Sequence, residues 1–179
     1  MAKAISVVLF LLAAASYAQD GASGDDLGVF PDTPGRNLHL EDRVFPRDFA
    51  GRWNLALVAF QREHQEIINT WLPQAEELEE AYPGFAYYEF PIIRELGGLA
   101  QGFIDRGMRV AVRSDKARER TVTFYTDKER FKESLELQDE ETIYVLLVDA
   151  EGRVLWRDRG GFSPEKRADL EQKLRELSD

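Results

Sequence analysis

The stretch Leu55-Ala-Leu-Val-Ala-Phe60 decides the fold of this chain. Six apolar residues without a polar interruption are typical of a strand that is buried on both faces of a parallel sheet. Apolar residues then recur at helical spacing across residues 63–82, and Pro83-Gly84 ends the pattern. A buried strand followed by an amphipathic helix predicts the first β-α unit of an α/β domain.

The same alternation continues toward the carboxyl terminus. Strands are predicted at residues 85–90, 121–125, 143–148 and 153–156, with a hairpin turn at residues 149–152. Helices are predicted from Ile93 to about Met108, where Gly97, Gly98, Gly102 and Gly107 weaken the helix, from a Thr126/Glu129 capping box to Leu135, and after Ser163-Pro164. The order predicts a central mixed sheet between helical layers, closed by a β-hairpin and a helix.

The amino-terminal residues divide into two segments before this domain. Residues 1–18 carry Lys3, a short apolar run and small residues before Gln19, the pattern of a secretory signal peptide. Residues 19–43 are rich in Gly, Asp and Pro, which predicts a flexible lead-in. We expect residues 44–179 to form the domain, with Phe45 and Phe49 of a lid segment packing on it.

Composition limits the function further. The chain contains no cysteine, so it can form neither a disulfide nor a thiolate nucleophile. Its formal net charge of −10 disfavours nucleic acid and anionic membranes as partners. With the signal peptide, these features predict a periplasmic or secreted protein that does not insert into a membrane after cleavage.

Residues 60–84, with Pro73 inside the helix, resemble the first strand and helix of the thioredoxin superfamily. Residues 121–127 and 143–154 resemble the alkyl hydroperoxide reductase/thiol-specific antioxidant branch of that superfamily. The resemblance implies a thioredoxin-like three-layer α/β/α sandwich. It places Gln65 and Ile68 where the two redox thiols would stand, so we expect neither thiol oxidoreductase nor peroxidase activity.

A second resemblance covers about the last 80 residues. Residues 142–157 end in a strand, an aspartate turn and a basic-apolar-Trp strand. This order is similar to that of the mitochondrial ATP synthase assembly factor family, whose members are chaperones for a membrane subunit. The similarity implies a chain without catalytic residues that assists assembly.

Candidate binding residues follow from the topology. Ligands of open α/β sheets favour the edge beyond the carboxyl ends of parallel strands, where a helix start leaves unpaired N–H groups. We therefore predict a ligand or partner at this edge, lidded by the glycine-weakened helix. Trp156 is either a core residue or an exposed partner anchor. The candidate residues are Gln61, Arg62, Glu63, His64, Gln65, Glu89, Pro91 and Trp156.

Three functions remain open at this stage. The favoured one is a binding or assembly module without thiol chemistry, exported from the cytoplasm and directed at a protein partner in an envelope or membrane complex. One alternative is a cysteine-independent enzyme that uses Arg62, Glu63 and His64. Another is a scaffold within a larger envelope complex. We predict no cofactor and no metal, because the two histidines, His39 and His64, lie in unrelated segments without ligand spacing.

Overall fold

The computed structural model describes residues 27–178 of the chain. Its strands are β1 (Thr33–Asn37), β2 (Asp42–Phe45), β3 (Trp53–Ala59), β4 (Phe85–Arg94), β5 (Val122–Thr126), β6 (Tyr144–Asp149) and β7 (Val154–Arg159). Its helices are α1 (His64–Ala81), α2 (Gly98–Ala111), α3 (Asp115–Arg120), α4 (Lys128–Ser134) and α5 (Pro164–Ser178). Within this part of the chain, no helix is long and apolar enough to cross a membrane.

The strands form one mixed sheet in the order β2-β1-β5-β4-β3-β6-β7. The neighbours β3, β4 and β5 run parallel, whereas the remaining pairings are antiparallel. Every residue of β3 is buried, as the uninterrupted apolar run predicts for a strand with covered faces. In the register of the sheet, Leu55 lies opposite Tyr87 on one side and Leu147 on the other.

One face of the sheet is covered by α1 and α5. The predicted helical stripe of α1 buries Ile68, Trp71, Ala75 and Leu78, and α5 contributes Leu170 and Leu174 to the same core. The indole N–H of Trp71 donates to the carbonyl of Gly160 at 2.9 Å, which satisfies the one polar group of a fully buried ring. These contacts confirm the predicted arrangement of this layer.

The opposite face carries an aromatic core beneath the amino-terminal segment and α4. Phe45 packs against Phe90 with ring centroids 4.9 Å apart, and Phe49 packs against Phe45 at the same separation. From α4, Phe131 lies edge-on to Phe30 at 5.6 Å. The prediction that Phe45 and Phe49 pack on the domain is confirmed, and the molecule has the expected three layers.

The predicted flexible lead-in is wrong for residues 27–43, which the structure shows as part of the fold. Strand β1 pairs with β5, and the amide of Phe30 donates to the carbonyl of Gly152 at 2.7 Å. Phe30 and Leu38 are each 1% exposed, and Phe30 lies in the aromatic core, so a few buried apolar residues outweigh the Gly-, Asp- and Pro-rich composition of the segment. The predicted signal peptide, residues 1–18, and residues 19–26 lie outside the described part.

Three element boundaries differ from the sequence prediction. Strand β4 runs past Pro91 to Arg94, because Pro91 lies where the pairing of β4 passes from β3 to β5 and its missing N–H is not needed. Helix α2 therefore begins at Gly98 rather than at Ile93, and its glycines do not interrupt it. Helix α4 is capped by Asp127, whose carboxylate accepts from two backbone amides, and not by Thr126.

Candidate functional site

The carboxyl ends of β3, β4 and β5 lie along one edge of the sheet, as their parallel pairing requires. We call residues 61–65, which follow β3, together with Lys128 and Glu140, the strand-end rim. Residues 61–65 were predicted from the sequence as part of a binding site. Lys128 and Glu140 were not, because their contact with the loop after β3 depends on the tertiary structure.

A polar network holds the loop after β3 in place. The side-chain amide of Gln61 donates to the carbonyl of Glu140 at 2.7 Å, and the ammonium of Lys128 donates to the carbonyl of Phe60 at 3.3 Å. Lys128 and Lys132 also contact the Glu140 carboxylate, at 2.5 and 3.2 Å. Burial works in the opposite direction, but these hydrogen bonds hold the pKa of Glu140 below its ordinary value. The rim therefore rests on a rigid base.

His64 is buried beneath the rim and does not face the solvent, so the predicted exposed trio with Arg62 and Glu63 is not formed. Only 3% of His64 is exposed, and its Nδ1 accepts from the amide of Phe60 at 3.3 Å. Its Nε2 makes no hydrogen bond within the described part, although the backbone of Glu141 lies close enough to act on the ring. Burial lowers the pKa of His64, which favours the neutral ring.

The start of α1 offers no free anion site, contrary to the prediction of unpaired N–H groups. The amides of His64, Gln65 and Glu66 donate to the carbonyls three residues earlier, at 3.2, 3.2 and 3.4 Å. This tight first turn satisfies amides that a helix start otherwise leaves unpaired. Arg62 and Glu63 are exposed beside this turn, and they provide the free charges of the loop.

Gln65, which the resemblance to the thioredoxin superfamily matches with a redox thiol, has its side chain tied to a buried carboxyl group. Its amide donates to Glu89 Oε2 at 3.0 Å, while Glu89 Oε1 lies 3.3 Å from the hydroxyl of Thr121. That hydroxyl donates to the carbonyl of Ala117 at 2.8 Å. Burial raises the pKa of Glu89 and outweighs the hydrogen bond from Gln65, which lowers it. An amide-carboxyl pair therefore fixes the side chain of Gln65, whereas Ile68, the other residue aligned with a thiol, is buried in the core.

Pro91 and Trp156 do not join the exposed rim. Pro91 is half-buried within β4, opposite Ala59. Trp156 pairs with Leu147 and so stands level with Leu55, in the middle of the sheet rather than at its edge. The indole is buried, and its N–H donates to the Asp169 carboxylate at 2.7 Å, which makes Trp156 a core residue rather than an exposed anchor.

Helix α2 does not form the predicted lid over residues 61–65. Its hydrogen bonds to the rest of the domain run to Tyr125 and Arg118 instead. An open groove of about 420 Å³ lies beside the rim and is lined by Arg94, Glu95, Thr126, Asp127, Lys128 and Glu129. Between residues 27 and 178, no group of three or more His, Asp and Glu side chains is placed to hold a metal ion.

The fold is shared with solved structures of thioredoxin-like proteins. No protein-family model and no curated protein sequence matches the chain. A putative electron transport protein from Aquifex aeolicus VF5 is 12% identical with a TM-score of 0.61, over 83% of this chain and 96% of that one. BsSco, of the Sco family of cytochrome c oxidase assembly proteins, is 12% identical with a TM-score of 0.57, over 84% and 96%. The exposed lipoprotein thioredoxin Etrx1 of Streptococcus pneumoniae is 12% identical with a TM-score of 0.53, over 82% and 99%. At such identities the similarity shows the fold alone.

Proposed function

We propose that this chain is a thioredoxin-like binding protein without thiol chemistry, which recognises a protein partner through the strand-end rim. The observation that carries the proposal is the bonding of Gln65, which the resemblance matches with a redox thiol. Gln65 is bonded to buried Glu89, and the first turn of α1 closes its own amides. The start of α1, where redox members of the fold carry their thiols, is thus a polar surface in this chain. We infer that this surface keeps a binding role without the redox chemistry.

The shape of this region favours a macromolecular partner over a small molecule. Small-molecule sites are concave and enclose most of their ligand. The groove beside the rim is open, and its lining is largely charged. Arg62 and Glu63 project from the base formed by Gln61, Lys128 and Glu140, so they can form charged contacts without reordering the loop. The alternative of an enzyme using Arg62, Glu63 and His64 receives no support, because His64 is buried.

Solved structures that share this fold are compatible with an assembly role of this kind. BsSco belongs to a family of cytochrome c oxidase assembly proteins, and Etrx1 is an exposed lipoprotein. Export of this chain to the periplasm or the medium rests on residues 1–18 and is part of the proposal. The resemblances to the alkyl hydroperoxide reductase/thiol-specific antioxidant branch and to the ATP synthase assembly factor family are compatible with it and stay proposals.

Site-specific photocrosslinking tests the rim. A photoreactive phenylalanine analogue replaces Arg62 in one full-length variant and Glu63 in another, and both are irradiated in the native host. Both side chains are exposed, so these substitutions are expected to leave folding nearly unchanged, within about 0.5 kcal/mol. We expect the same crosslinked polypeptide from both variants, identified by mass spectrometry. Its yield should fall when the neighbouring charge is also changed to Ala, which is Glu63 in the first variant and Arg62 in the second.

The matched control places the analogue at Glu80, an exposed position near the end of α1. It should not yield the crosslinked polypeptide, because Glu80 lies some 25 Å along the helix from its start. Equal crosslinking from all three positions, or none from the rim, would contradict the proposal. Disulfide reduction by the purified chain in an insulin assay would contradict its non-redox part.

A further inference from the structure

Helix α2 presents three of its large apolar side chains to the solvent. Leu99, Phe103 and Val110 are 96%, 81% and 75% exposed, and they are three of the five large hydrophobic residues that are exposed between residues 27 and 178. The one buried residue of α2 is the polar Asp105. An amphipathic helix of a soluble domain normally turns its apolar side to the core, so this orientation requires another apolar surface.

The three apolar side chains form one strip along the helix. Leu99, Phe103 and Val110 are spaced by four and seven residues, which places them on the same face over about 16 Å. Arg106 falls on the same face between Phe103 and Val110, and the flanking positions are the small residues Ala100, Gly102 and Gly107. The strip therefore stands clear of its surroundings, and a Cβ at either glycine would meet no atom within 4 Å.

The charge of this surface is opposite to that of the whole molecule. The chain has 33 Asp and Glu residues against 23 Lys and Arg, yet α2 exposes no acidic side chain. Its single acid, Asp105, is buried and accepts from the hydroxyl of Tyr125 at 2.7 Å. Arg106 and Arg109 are exposed on α2, and Arg113 follows its end. Exposed α2 thus consists of apolar residues, small residues and arginines.

We propose that α2 is an interfacial helix that binds the surface of an anionic phospholipid bilayer. Leu99, Phe103 and Val110 would enter the boundary between headgroups and acyl chains, while Arg106, Arg109 and Arg113 pair with lipid phosphates. The net charge of −10 does not prevent this contact, because acids farther than about 10 Å from the bilayer are screened at 0.1 M salt. The helix lies on the bilayer and does not cross it.

Two other occupants fit the surface less well. A second copy packed α2 against α2 would enclose Arg106, which lies within the strip, in an apolar contact, and the cost of desolvating an unpaired charge opposes that contact. A protein groove would have to supply a specific partner for each arginine, whereas the other polar side chains of α2, Gln101 and Asp105, already bond within the domain. A bilayer surface needs neither symmetry nor shape complementarity.

Vesicle cosedimentation of the full chain tests the proposal. Vesicles of phosphatidylglycerol and phosphatidylcholine in equal parts are compared with vesicles of phosphatidylcholine alone. The unaltered chain and every variant begin at the same residue, so that any vesicle binding by the amino-terminal residues is the same in all of them. The double variant Leu99→Gln/Phe103→Gln should lower the partition coefficient on anionic vesicles at least about tenfold. Arg106→Gln/Arg109→Gln should also lower it about tenfold and should weaken its dependence on salt.

Matched controls change equivalent side chains elsewhere. Leu40→Gln removes an exposed apolar residue from the β1–β2 turn, and Arg47→Gln/Arg175→Gln removes two exposed charges. Both should bind like the unaltered chain. Equal binding by Leu99→Gln/Phe103→Gln, or equal binding to phosphatidylcholine alone, would overturn the proposal. A dimer in light scattering that Leu99→Gln/Phe103→Gln abolishes would overturn it in favour of a second copy.

Discussion

At the residue scale, the hydrogen bonds around Glu89 determine where its proton lies. The Thr121 hydroxyl has one proton, and it is nearer to the carbonyl of Ala117, at 2.8 Å, than to Glu89 Oε1, at 3.3 Å. A protonated carboxyl group can donate to that hydroxyl, whereas a carboxylate would face it without a proton to share. Burial also raises the pKa of Glu89. The position of the Thr121 proton and the burial of the carboxyl group both favour the neutral acid over the carboxylate in the folded chain.

Glu89→Gln should therefore raise the free energy of unfolding at neutral to mildly alkaline pH. A folded-state pKa above the unfolded value stabilises the fold below the unfolded pKa, and this contribution is lost as pH rises through the folded pKa. Glutamine keeps a donor toward Thr121 and cannot ionise. We expect a gain of about 1 kcal/mol or more at pH 8 and little gain near pH 4, measured by urea unfolding across that range.

The control for this prediction is Glu80→Gln, which removes an exposed carboxylate from α1. It should change the free energy of unfolding by less than about 0.5 kcal/mol at each pH. If Glu89→Gln destabilises the chain at pH 8, the carboxylate form is the one that the fold stabilises, and the proton assignment is wrong.

At the element scale, the glycines separate into two kinds that look alike in the sequence. A Cβ added to Gly107 in α2 would meet no atom within 4 Å. Gly152, in the turn between β6 and β7, has a φ of +93°, and a Cβ there would lie 2.8 Å from Cγ of Pro46. Gly107 only lowers the helix propensity of α2, whereas the positive φ and the close approach of Pro46 both require glycine at position 152.

Substitution by alanine should distinguish these two kinds. Gly107→Ala should stabilise α2 by about 0.5–1 kcal/mol, seen as slower amide hydrogen exchange within the helix. Gly152→Ala should lower the free energy of unfolding by about 1–3 kcal/mol, because the left-handed conformation and the contact with Pro46 both oppose a Cβ. Similar effects at the two positions would show that α2 is packed more tightly than its exposure indicates.

At the scale of the whole molecule, the amino-terminal segment completes the second core. The guanidinium of Arg157 donates to the carbonyls of Leu27 and Leu135, which joins this segment to β7 and to the end of α4. Phe30 contacts Phe90, Phe124 and Phe131 in the aromatic core. The segment that composition assigns to a flexible lead-in therefore covers one face of the sheet.

Phe30→Ala should lower the free energy of unfolding by about 3–5 kcal/mol, because it empties a fully buried aromatic site. Val29→Ala, one residue earlier and 51% exposed, should cost less than about 0.5 kcal/mol. Urea unfolding of both variants measures the difference. If both substitutions change the free energy of unfolding equally and only slightly, residues 27–43 are a flexible lead-in and not part of the fold.

The sequence alone determined the order of the main strands and helices from Leu55 onward. The uninterrupted run of β3 and the helical stripe of α1 report burial directly, because a side chain in a regular element has a fixed periodicity. The sequence also excluded thiol chemistry, because it contains no cysteine. The sequence also pointed to the loop of residues 61–65, since parallel strands deliver their following residues to one edge.

Which of the candidate residues could act together depended on the packing of the folded chain. Residues distant in the chain determine the burial of His64 and Trp156 and the contact between Gln65 and Glu89. No local sequence pattern encodes such neighbours. The same reason explains α2. Its sequence showed apolar residues at helical spacing, but their outward orientation follows from how Tyr125 and Arg118 hold the opposite side of the helix. Periodicity fixes what shares a face, and packing fixes where that face points.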